Sequence, residues 1–164
     1  IPVVLDPVGV AATRFRMQAV KQLTEAITFT AMKGNAGEMA TLVDIPWQTK
    51  GVESIDDDLE KLEEIAWQVA QTYQTIAVVT GETDVVSDGK QVYVNKHGHP
   101  LLTKITGAGC LLGSILTASL SVADDTVFAA YEAITYYGKA AERAASKANG
   151  PGSFQVYFLD ELSK

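Results

Sequence analysis

The feature that most constrains this chain is an alternation of two apolar patterns. Short runs rich in β-branched residues recur between stretches whose apolar residues fall at helical spacing. Ile1–Leu5, Thr28–Met32 and Thr75–Thr80 read as buried strands. Met17, Val20, Leu23 and Ile27, with Ala19 and Ala26, predict a helix over roughly 16–27. A short helix follows over Asn35–Val43, then a connection from Asp44 to Ile55 containing Pro46 and Gly51. Asp56-Asp57-Asp58 opens a further helix, where acids complement the dipole. Its buried stripe is Leu59, Leu62, Ala66, Val69, Ala70 and Tyr73. Val85–Ser87 and Gln91–Asn95 flank Asp88-Gly89, a hairpin signal.

The remainder continues the pattern. Leu101–Ile105 reads as a strand-like segment, and the helix from Gly109 to Val122 is apolar nearly all round, which predicts a central position. A longer helix from about Asp125 to Ala148 carries Phe128, Tyr131 and Ile134. Asn149-Gly150-Pro151-Gly152 breaks it, and Phe154–Leu159 is expected as a last strand. Strands and helices in this order predict a layered α/β fold, with a mostly parallel sheet and an antiparallel hairpin edge. No repeat or linker divides residues 1–164, so a single domain is expected.

Three strand ends carry candidate chemistry. Ile1–Leu5 runs into Asp6-Pro7-Val8-Gly9, and ligands of open α/β sheets collect beyond the carboxyl ends of strands. A simple turn aspartate before proline is the competing reading. Lys33-Gly34-Asn35-Ala36-Gly37-Glu38 places Asn35 and Glu38 at capping-box spacing. Glu38 is also a candidate magnesium ligand, and Lys33 a candidate phosphate contact. In Thr106-Gly107-Ala108-Gly109-Cys110, two glycines precede a helix whose first N–H groups and dipole favour an anion. Cys110, the one cysteine, sits in that first turn, where a thiol ionises more readily. A glycine turn before a core helix, with a small buried cysteine, is the competing reading there.

These segments resemble the hydroxyethylthiazole kinases of the ribokinase-like superfamily. The matching strings are VVLDPVG (3–9), KGNAGEMA (33–40), VVTGETDVVSDG (78–89), LLTKITGAGCLLGS (101–114) and NGPGSFQ (149–155). They run through essentially the whole chain in order. The resemblance implies a three-layer ribokinase-like fold and transfer of the γ-phosphoryl of ATP to the primary alcohol of 4-methyl-5-(2-hydroxyethyl)thiazole. It implies magnesium at Asp6 and Glu38, and phosphate or nucleotide contacts from Lys33, Asn35, Thr80, Gly107, Ala108 and Gly109. Gly107 and Cys110 would meet the alcohol, with Cys110 accepting or orienting its proton. A homotrimer with sites between subunits is implied as well. Two departures stand out: Ala11-Ala12-Thr13-Arg14-Phe15-Arg16 replaces Gly-Ala-Thr-Pro-Phe-Arg, and Lys33 replaces an arginine. A lysine is a point charge rather than a planar fork, which alters phosphate contact at that position.

Composition narrows the partners. With 47% apolar and 20% charged residues the chain can bury a core, and no apolar stretch reaches membrane-span length. A net charge of −7 argues against nucleic acid and obliges an anionic nucleotide to find local cations, helix ends or magnesium. A single cysteine excludes an internal disulfide and fits a reducing, cytoplasmic setting, and no signal-peptide pattern is present. The chain opens directly in a strand-like run without an initiator methionine, so it reads as the C-terminal portion of a longer chain. The resemblance implies that the missing part supplies further strands and much of the thiazole pocket.

Other features read as structural. His97-Gly98-His99-Pro100 is expected as a surface turn, Trp47 and Trp67 as packing residues, and Arg14 and Arg16 as a solvated helix start. A hydroxymethylpyrimidine kinase of the same superfamily is the alternative function. Asp-Pro-Val-Gly and Gly-Pro-Gly-Ser-Phe favour the thiazole enzyme. A hydro-lyase on the same fold would carry aspartate at the Cys110 position. A silent nucleotide-binding module would not need Asp6, Glu38 and Cys110 together.

Overall fold

The computed structural model describes residues 1–47 and 55–164. The Gly51 part of the expected connection and the side chains of Asp56 and Asp57 lie outside what it describes. The chain forms two compact units, Ile1–Val94 and Asn95–Lys164.

The first unit is built on a five-stranded sheet in the order β1-β2-β3-β4-β5. The strands are β1 (Val4–Leu5), β2 (Ala31–Asn35), β3 (Ile76–Thr80), β4 (Asp84–Ser87) and β5 (Val92–Asn95). β1, β2 and β3 are parallel, with Val4 opposite Ala31 and Ala31 opposite Ile76. β4 runs antiparallel to β3, and the Asp88-Gly89 turn leads from it to β5 at the edge. Asp88 ties that turn by accepting the N–H groups of Lys90 and Gln91. The α/β class, the mixed sheet and the hairpin edge are as expected.

Helices α1 (Arg14–Ala26), α2 (Ala36–Leu42) and α3 (Ile55–Tyr73) complete this unit. Thr13 caps α1 by accepting the N–H of Arg16. α3 packs on β3 and β4, and α2 on α3 and β2. Ile65, Ala66, Val69 and Ala70 recur at i, i+1, i+4, i+5, the stripe that faces a sheet. They join Met32, Met39, Ala40, Val79 and Val85 in one buried cluster. Trp47 packs against it with Lys61 over its ring, whereas Trp67 is exposed, against expectation.

β2 lies three residues further along than Thr28–Met32. Its place is set by pairing on both sides rather than by its own apolar run. The shift brings Lys33, Gly34 and Asn35 into the strand, which matters for the site.

The second unit is helical. A 3₁₀ helix over Pro100–Lys104 precedes α4 (Ala108–Leu120), α5 (Thr126–Ala145) and α6 (Pro151–Glu161). Two sequence expectations fail here. Leu101–Ile105 is not a strand: His99 accepts the N–H of Leu101, and Pro100 pre-sets the first helical φ. Phe154–Leu159 is not a strand either. Pro151 starts a helix, and the buried residues Phe154, Phe158 and Glu161 fall at i, i+4 and i+7. α4 is also less enclosed than expected within its unit: it packs on α5 and buries one stripe, Leu112, Leu116 and Leu120.

α5 and α6 are joined by an aromatic stack and an ion-pair cluster. Phe154 stacks on Phe158, and Tyr137 meets Phe158 edge-on at 4.9 Å between centroids. The buried Glu161 carboxylate accepts from Lys147, Lys164 and Arg143, and these pairings hold its pKa down to about 2. Three donors supply the hydrogen bonds and charge that make such burial tolerable.

Candidate functional site

The parallel register of β1 and β2 decides the first cluster. Leu5 lies opposite Met32, so the next residues, Asp6 and Lys33, fall side by side at the carboxyl edge of the sheet. The Lys33 ammonium is 2.7 Å from the Asp6 carboxylate, with side-chain exposures of 5% and 25%. A lysine is tolerated in a buried strand because this acid stands beside it. The partly open Asp6 still faces water.

Glu38 ties three segments together. One oxygen accepts the N–H of Gly9 at 2.8 Å, and the other accepts the N–H of Asn35 at 3.0 Å. Asn35 returns the bond by accepting the Glu38 N–H at 2.9 Å, which completes the expected capping box of α2. The contact to Gly9 spans 29 residues and has no local sequence signal. Gly9 holds φ +66°, and a Cβ there would stand 2.1 Å from an Arg16 guanidinium nitrogen. Arg16 therefore leans over the Asp-Pro-Val-Gly turn rather than standing only as a solvated helix start. At the end of β3, Thr80 lies opposite Asn35 and donates its hydroxyl to the Gly34 carbonyl at 3.2 Å.

The structure thus brings Asp6, Lys33, Asn35, Glu38 and Thr80 to the carboxyl ends of three parallel strands. The Asp6 carboxylate meets the buried Lys33 ammonium there, and the Glu38 carboxylate binds the backbone of the Asp6-Pro7-Val8-Gly9 turn. Neither carboxylate has all its lone pairs occupied by the bonds above, since each oxygen accepts more than one. Magnesium keeps several waters and takes few carboxylates, so this donor set fits such an ion. Among the described residues no cluster of three or more His, Cys, Asp or Glu side chains is present.

The second group is the turn Gly107-Ala108-Gly109-Cys110 at the start of α4. Gly107 is the N-cap, in the left-handed region at φ +88°, and no side chain caps the helix. A Cβ at Gly107 would meet nothing within 4 Å, so conformation rather than space calls for glycine there. Gly107, Gly109 and Cys110 are exposed. An exposed cysteine does not suit the competing reading of a small core residue. The turn follows a 3₁₀ helix, so any anion-binding role would rest on the helix start and not on a strand end. From 29 residues away Tyr137 donates its hydroxyl to the Ala108 carbonyl at 2.6 Å, a contact that sequence spacing could not reveal.

The histidine turn is anchored rather than loose. His97 Nδ1 lies 3.1 Å from Glu142, which also accepts the Gly98 N–H, and His99 caps the 3₁₀ helix while packing on Phe154. No helix among the described residues is long and apolar enough to cross a membrane.

The α/β fold is one that this chain shares with a protein of the ribokinase-like superfamily. A ribokinase-like superfamily protein from Enterococcus faecalis aligns with 98% of this chain and 52% of its own, at 11% identity and a TM-score of 0.60, which shows the fold alone. The more particular assignment comes from the sequence family: the hydroxyethylthiazole kinase family model matches residues 1–164, and the chain belongs to that family. Hydroxyethylthiazole kinase 1 of Oceanobacillus iheyensis is 48% identical over all of this chain and 64% of its own length. The structure of the hydroxyethylthiazole kinase protein from Pyrococcus horikoshii matches at a TM-score of 0.86 and 33% identity. It covers 98% of this chain and 59% of that one. The chain thus spans about three-fifths of the length of these relatives.

Proposed function

We propose that the full-length protein transfers the γ-phosphoryl group of ATP to the primary alcohol of 4-methyl-5-(2-hydroxyethyl)thiazole, a step of thiamine biosynthesis or salvage. The observation that carries this reading is the family match over every residue of the chain, with the strand-end acids and Cys110 present. Phosphoryl transfer asks little covalent chemistry of a protein; positioning and charge neutralisation dominate.

In this reading Asp6 and Glu38 hold magnesium, directly or through water. The ion, when bound, neutralises phosphate charge. Lys33 adds a buried positive charge that Asp6 keeps in place, and Asn35 and Thr80 contact the nucleotide. The backbone N–H groups of Gly107, Ala108, Gly109 and Cys110 receive the transferring phosphoryl group. Cys110 accepts or orients the proton of the alcohol. We read the assembly as a cytoplasmic homotrimer.

An ADP-release assay on the full-length protein tests this. With ATP and magnesium, turnover is expected with the thiazole alcohol and not with hydroxymethylpyrimidine. Turnover with the pyrimidine alcohol alone would move the protein to the sister activity. No turnover with either would end the kinase reading.

A further inference from the structure

We propose that Tyr137 is a positioning residue for phosphoryl transfer: its buried hydroxyl fixes the Gly107-Ala108-Gly109-Cys110 turn by holding the Ala108 carbonyl. The proposal rests on the role given to that turn above.

The turn is poorly braced by its own side chains. Its N-cap lacks a side-chain bond, Gly107 sits in a conformation that few residues share, and three of its four residues are exposed. Preorganised donors stabilise a transition state only when they cannot drift, because reorganisation at the moment of reaction costs rate. The Tyr137 hydroxyl supplies a fixed point at 2.6 Å from the Ala108 carbonyl.

That fixed point is itself well supported. Tyr137 is 5% exposed, and its ring has only two rotatable bonds. Its edge meets Phe158 at 83°, and Phe158 stacks on Phe154 at 5.5 Å. Both phenylalanines are fully buried in α6. The first turn of α6 is the Asn-Gly-Pro-Gly-Ser-Phe segment, where Ser153 accepts the Asn149 N–H. That segment therefore starts the helix that clamps the ring that holds the turn. Burial, and then the nearby Cys110, push the Tyr137 phenol well above its usual pKa. The hydroxyl therefore stays protonated, and a donor, at any working pH.

A buried phenol also needs a partner for stability alone, so the test must separate the two roles. Tyr136 provides the control: it is the adjacent residue, and it donates to the Leu162 carbonyl at the same 2.6 Å, away from the turn. In the full-length protein, Tyr137→Phe and Tyr136→Phe are compared by steady-state kinetics, melting temperature and the rate of iodoacetamide alkylation at the exposed Cys110, read by peptide mass spectrometry. Tyr137→Phe is expected to lower kcat by roughly tenfold to a hundredfold at near-constant KM for ATP. It is also expected to change the alkylation rate at Cys110 severalfold, as the turn that carries the thiol loses its fixed point. Tyr136→Phe is expected to change neither. An alkylation rate unchanged by Tyr137→Phe, or changed equally by Tyr136→Phe, overturns the proposal. The alkylation arm needs no turnover. A protein inactive on both alcohols would therefore end the kinase reading while this arm still decides the role of Tyr137.

Discussion

The strand-end cluster of the first unit and the glycine turn of the second solve opposite problems. The cluster is made of side chains that hold one another: Asp6 holds Lys33, and Glu38 holds the backbone of Gly9 and Asn35. The proposed function and the stability of the cluster would therefore be carried by the same bonds. The turn is made of backbone and is open to solvent, and a phenol on another helix helps to anchor it. There the groups proposed to meet a ligand can be changed with little effect on folding. Substitutions should consequently lower melting temperature and activity together in the cluster, but activity alone in the turn.

The widest separation is expected at Cys110. Cys110→Ala should lose activity on the order of 10²–10⁴-fold, the range for one proton-transfer group. Its exposure keeps the stability change within about 0.5 kcal/mol. Cys110→Asp should retain much more activity, since a carboxylate also accepts a proton. Single-turnover transfer and thermal melts on both variants check this. Full activity in the alanine variant would leave the glycine turn and the cluster to do the chemistry.

Asp6→Asn should show the opposite behaviour. It removes the carboxylate charge that lies 2.7 Å from the buried Lys33 ammonium, and breaking a buried pair costs about 3 kcal/mol. Melting temperature should fall on the order of 10 °C, with activity lost as well. An unchanged melt would show that the pair adds nothing to stability and would weaken the contrast.

Glu38→Gln is a finer probe. An amide oxygen can still accept one of the two N–H groups, but its NH₂ faces the other donor. The expected cost is about 1–2 kcal/mol, with a higher magnesium requirement in a titration of rate against metal. A variant whose magnesium dependence matches wild type would leave Glu38 with the capping box and the tie to Gly9 alone.

Gly107→Ala should have a small effect on stability, above that of Cys110→Ala and no greater than that of Glu38→Gln. Nothing crowds a Cβ there, so only the left-handed conformation opposes it, at about 1 kcal/mol. A loss of phosphoryl transfer beyond what the melt accounts for would mark the turn as a ligand contact. Equal small losses in both would mark it as only a turn.

Much of this was legible locally. Asn35 and Glu38 sit three residues apart, and that spacing alone predicts their reciprocal bonds. Asp88-Gly89 announced its hairpin in the same way. The misread elements fail for one reason. Leu101–Ile105 and Phe154–Leu159 are short apolar runs whose period is ambiguous, and the proline before each tips it to a helix. Those prolines, Pro100 and Pro151, were the signals available to find the error.

The α/β alternation, the strand-end acids, the caps and the glycine turn could all be read along the chain, because each depends on residues within a few positions of one another. Folding alone put Lys33 inside a strand beside Asp6, brought Glu38 to Gly9 and set Tyr137 against Ala108. Those contacts span between 27 and 29 residues. Strand register and helix packing create them, and neither is set by local spacing.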